Sequence, residues 1–154
     1  MEETVRSYQE LEIVFKDAYD KNDPILLGKL SQIHNMIGLV QLNAAKPLER
    51  ESEEAQIIYK RAKQHYDYAF GLRSQLESQS PSIDHRCFLS NIRTSLIECL
   101  VGIKPIDEEG RESLRLHKLA LEACIDELSY FNDRNSYIEY YRKAIDKAEQ
   151  FLAS

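Results

Sequence analysis

At 154 residues the chain has the length of one ordinary domain, enough to bury a core. A hydrophobic content of 43% with only five glycines and four prolines excludes a disordered chain and a turn-rich all-β one. Twenty basic against 26 acidic side chains give a net charge of −6, and residues 1–79 and 80–154 each hold 10 basic and 13 acidic groups, so no basic domain or tail is offered to nucleic acid.

Six helices are expected in chain order, at about 2–20, 24–44, 48–78, 82–102, 107–130 and 134–153, forming one domain over 1–154. The first opens on the acidic stretch Met1-Glu2-Glu3, reaches no unbroken apolar run of the kind a signal peptide needs, and carries the short core stripe Tyr8, Leu11, Phe15 and Ala18. Asp23-Pro24 pairs an N-cap acceptor with proline at the first helical position and starts the second. There Leu26, Leu30, Ile33, Ile37 and Val40 recur at helical spacing. The charge-free stretch Leu30–Ala45 is interrupted by Gln32, His34, Asn35, Gln41 and Asn43 and falls short of the ~20 apolar residues a bilayer requires, so it reads as a buried helix. Pro47 is read as the start of the third segment, whose Ala55, Tyr59, Ala62, Tyr66 and Ala69 step by 4, 3, 4 and 3, the seam of a helix packed lengthwise on a neighbour. Its far end, Arg73–Ser78, is expected to project or to bend at Gly71.

Ser80-Pro81-Ser82 offers two caps to the fourth segment, which Gly102 is expected to end. Pro105-Ile106-Asp107-Glu108-Glu109 sets acids on the amide-rich first turn of the fifth. The sixth repeats the seam with Tyr137, Tyr141, Ala144, Ala148 and Phe151. Segments 24–44 and 82–102 are apolar on more than one face and are expected to be central, with the others wrapped around them. Gly28 and Gly38 are expected to permit close helix contact. No window alternates with period two, and the fold class is all-α.

The Ala-x3-Tyr-x2-Ala spacing at Ala55, Tyr59 and Ala62, repeated at Ala62, Tyr66 and Ala69, resembles the second helix of a tetratricopeptide repeat. Over residues 24–153 the resemblance implies antiparallel helical hairpins stacked side by side. A plain bundle and a repeat-like array with a concave binding face therefore both remain open.

Reactive chemistry is sparse. There is no Cys-x2-Cys, His-x3-His or Glu-x2-His, and the one short His/Cys pair, His85 and Cys87, lacks the further ligands of a structural zinc site, so neither metal nor cofactor is expected. No glycine falls in a phosphate-binding run. Cys87, Cys99 and Cys124 are odd in number and sit in apolar surroundings, which points to buried reduced thiols and a cytoplasmic location. Arg111-Glu-Ser-Leu-Arg-Leu-His117 resembles the Arg-x4–6-His motif of the HEPN family of helical bundles, some of which are metal-independent ribonucleases. That resemblance implies Arg111 stabilising phosphate charge and His117 as acid/base in a cleft between two protomers. On a straight helix the two side chains stand ~120° apart, so a bend near Gly110 is required.

Candidate binding groups are of two kinds. Arg111, Arg115 and Lys118 make one basic stripe and Lys60, Arg61 and Lys63 a second, either able to meet phosphate or an acidic partner or to be neutralised by Glu108, Glu112 and Glu122 a turn away. Tyr130, Phe131, Tyr137, Tyr140 and Tyr141 crowd the last hairpin, with Tyr140 turned about 100° from the core-facing Tyr141 and open to a partner surface. The leading expectation is a non-catalytic module that binds another protein or itself. The alternatives are the HEPN-like ribonuclease of Arg111 and His117 and a small-ligand sensor with a pocket near His34 and His65.

Overall fold

A computed structural model describes residues 2–17 and 23–154, apart from the side chains of 14–17 and 132. The chain is all-α: α1 (Glu2–Asp17), α2 (Pro24–Ala45), α3 (Glu53–Gln79), α4 (Ile83–Gly102), α5 (Glu108–Leu128) and α6 (Asn135–Ala153), with a 3-10 turn at Asn132–Arg134. Among the described residues there is no strand, and no helix is long and apolar enough to cross a membrane.

The expected caps are in place. Asp23 accepts from the Ile25 amide at 2.9 Å, Ser82 from His85 at 3.1 Å and Asp107 from Gly110 at 2.7 Å. The third helix starts later than expected. Pro47 lies in a turn, and Ser52 is the N-cap, accepting from the Ala55 amide at 3.2 Å ahead of Glu53 and Glu54, whose charges favour the amide-rich end. Its far end does not project: the helix runs unbroken through Gly71, and Arg73 and Leu76 beyond it are buried. In α1, Leu11 is 47% exposed, while the Phe15 side chain and Ala18 lie outside the described residues.

Each helix packs on the next, α1 on α2 and so on to α6, and α4 also meets α6. The expectation of two central helices wrapped by the rest needs correcting, because α2 and α4 touch only briefly and α3 stands against both. The α3 stripe supplies the reason. Ala62 and Ala69 are fully buried, small enough for close approach, and Tyr66 between them fills the seam with Leu42 of α2 and Ile92 and Leu96 of α4. Gly38 permits this fit, since a Cβ there would lie 2.9 Å from the Tyr66 ring; Gly28 has no such role, its nearest neighbour being ordinary contact at 3.8 Å.

The apolar breadth of α4 follows from serving two cores. Ile92, Leu96 and Cys99 face α2 and α3, whereas Ile97, Leu100 and Val101 face Leu114, Leu121 and Leu128 of α5 and Tyr141, Ile145 and Ala148 of α6. All three cysteines are buried free thiols. The outcome is an all-α bundle in which α4 joins a core shared with α2 and α3 to a core shared with α5 and α6.

Candidate functional site

Residues of α2, α4 and α6 line a common groove. Here α4 forms the floor and α2 and α6 the walls. The first section, about 510 Å³, is lined by Asn35 and Leu39 of α2, Asn91 and Ser95 of α4, Ser136, Tyr137 and Tyr140 of α6, and Tyr66 reaching through from α3. The second, about 310 Å³, shares Leu39, Ser95 and Tyr140 and continues past Lys46, Glu98, Lys143 and Lys147. A third, about 510 Å³, extends it to Arg50, Tyr59, Gln150 and Phe151. The α6 contributions at 136, 140, 143, 147 and 150 recur at helical spacing, so a single helix face lines the groove throughout.

The floor carries polar groups held in place by hydrogen bonds. Tyr141, fully buried, donates its hydroxyl proton within 3.0 Å of the Cys87 carbonyl and 2.9 Å of Asn91 Oδ1, and so fixes the Asn91 amide. The Thr94 hydroxyl donates to the Asn91 carbonyl at 2.7 Å and shares a 3.0 Å hydrogen bond with the Tyr140 hydroxyl, which holds that half-exposed ring against the groove. Tyr66 is 1% exposed, yet its hydroxyl has no hydrogen-bond partner of normal geometry among the described residues. Burial pushes this phenol up, an effect that the neighbouring Ser95 hydroxyl only partly offsets. A buried hydroxyl left in this condition is unusual.

The walls turn basic along their length. Lys46, Arg50, Lys143 and Lys147 line the second and third sections against one carboxylate, Glu98, which lies 3.6 Å from Lys147. Lys46 and Lys143 have no ion-pair partner among the described residues.

The basic stripes named from sequence are ion-paired in part. Arg115 meets Glu108 at 3.0 Å and Glu112 at 3.1 Å, Lys118 meets Glu122 and Glu149 at 3.2 Å, and Lys63 meets Asp67 at 2.6 Å. Of the aromatic candidates, Tyr137 and Tyr140 line the groove; Tyr130, 87% exposed, and Phe131 sit at the α5–α6 connection outside it. Sequence reasoning missed the α2 wall, the α4 floor and the four cations. The signal was present as faces of mixed polarity at helical spacing, but only the helix packing makes those faces converge.

Arg111 and His117 are not brought together. The Arg111 guanidinium lies over the Phe151 ring of α6 at 5.5 Å, whereas His117 sits edge-on to Phe70 of α3 and accepts a hydrogen bond at Nδ1 from Arg93 of α4 at 3.0 Å. Burial first, then the charges of Arg93 and Lys63, hold His117 down at about 4, so it is neutral at pH 7. His34 and His65 do meet, Nδ1 to Nδ1 at 2.9 Å, with Glu12 of α1 3.0 Å from His34 Nε2 and the Tyr68 ring tilted against His34. Among the described residues no cluster of His, Cys, Asp and Glu could hold a metal ion.

Compared with protein-family models, with curated proteins and with solved structures, the chain matches none.

Proposed function

We propose that this chain is a non-catalytic binding module that docks another protein in the groove between α2 and α6. The observation that carries this reading is the groove itself, lined throughout by one face of α6 and carrying hydroxyl and amide groups along its floor. The surrounding hydroxyls and amides are held in place by Tyr141 and Thr94, so little ordering remains to be done on binding.

Selection from a random-peptide display library against the folded chain tests the reading. Binders are expected to be lost with Tyr140→Arg, which plugs the groove, and retained with Tyr130→Arg, which alters an exposed ring outside it. No enrichment, or equal loss with both variants, overturns the proposal.

A further inference from the structure

Building on that groove reading, we infer that the occupant is an extended segment of about seven residues carrying acidic side chains at the Lys46–Lys147 end. Three features point to it. From Ser136 to Phe151 the α6 wall is ~22 Å long at ~1.5 Å per residue, and a chain rising ~3.3 Å per residue covers that distance in about seven. The lining sets the Asn91 amide and the Ser95 hydroxyl among the apolar side chains Leu39, Leu42, Ile97 and Ala144, so apolar contact is interrupted by polar groups. A docked helix has already paired its own backbone and needs apolar contact, whereas an extended segment brings N–H and C=O groups that must find partners.

Charge completes the assignment. The protein is acidic overall at −6, yet four cations and one carboxylate line the second and third groove sections. Lysines left without carboxylates in a chain with an excess of acids form a local field complementary to Asp and Glu side chains. Elsewhere several cations are internally matched, as at Arg115 and Lys118, and Arg86 is held by both Glu77 and Glu127.

Fluorescence anisotropy with three labelled heptapeptides tests the inference: one ending in four Asp and Glu residues, its counterpart with Lys in those places, and the acidic peptide stapled as a helix. The full-length chain is expected to bind the unstapled acidic peptide at least about tenfold tighter than either other, with affinity falling as salt rises. The double variant Lys46→Glu/Lys143→Glu is expected to lose that preference and to gain binding of the Lys peptide, a gain that an unfolded variant cannot produce. Equal binding of the three peptides, tighter binding of the stapled one, no saturable binding, or an unchanged preference in the double variant overturns the inference. If display-selected peptides still occupy the groove in those cases, the docking function stands and only the occupant is wrong.

Discussion

Acid should weaken the fold through His117, and the structure fixes both sign and size. Arg93 donates to Nδ1, so the ring carries its proton on Nε2, and protonating Nδ1 would set two donors face to face at 3.0 Å. Folding therefore favours the neutral ring. Above pH 6.5 the folded and unfolded chains are both neutral at this site and it contributes nothing to pH dependence. Below 6.5 the unfolded chain takes up a proton that the native ring refuses until about pH 4, so stability falls as pH falls across that window. At ~1.36 kcal/mol per pH unit the full span is roughly 3 kcal/mol, reduced to roughly 2–3 kcal/mol because the ring is not fully enclosed. Urea unfolding followed by circular dichroism at pH 7, 6, 5 and 4 measures this. His117→Gln keeps an acceptor for Arg93 but does not titrate, so the wild type should lose ~2–3 kcal/mol more than the variant between pH 7 and 4. Parallel losses within about 0.5 kcal/mol would refute the reasoning.

Other expectations are as direct. Gly38→Ala forces a methyl against the Tyr66 ring and should cost about 1–3 kcal/mol, whereas Gly71→Ala, with open space around it in the middle of α3, should stabilise by about 0.5–1 kcal/mol; thermal melts that rank them the other way would contradict the Tyr66 packing. Tyr141→Ala empties a fully buried site and should cost ~3–5 kcal/mol in chemical denaturation, well above Tyr140→Ala, which should instead weaken groove binding; the reverse order would mean the two faces are misassigned. Burial holds His65 below its ordinary value, and a second proton on the His34–His65 pair would place N–H against N–H. Because the pair joins α2 to α3, hydrogen-exchange protection around His34 and His65 should drop between pH 7 and 5 ahead of α4; simultaneous loss in both regions would rule that out.

Much of the fold is legible residue by residue. Asp23, Ser82 and Asp107 announce helix starts because an oxygen side chain ahead of a helix satisfies amides that have no other partner. The start at Ser52 was misread because Pro47 looks like an opening, and the capping bond that decides it is a contact between side chain and backbone that composition does not reveal. Tyr140 and Tyr141 were separable on angle alone, since neighbours on a helix cannot face one core.

The sequence by itself determined six helices and the buried seam of α3 at Ala55, Ala62, Tyr66 and Ala69, because capping and 3.6-residue periodicity act over a few residues. Only the tertiary structure decided that α3 stands between α2 and α4, that Lys46, Arg50, Lys143 and Lys147 share a groove, and that Arg115 and Lys118 are neutralised. Those outcomes depend on which helix faces meet across the fold, and that is set by packing of Tyr66 on Gly38 and of α4 against two cores at once.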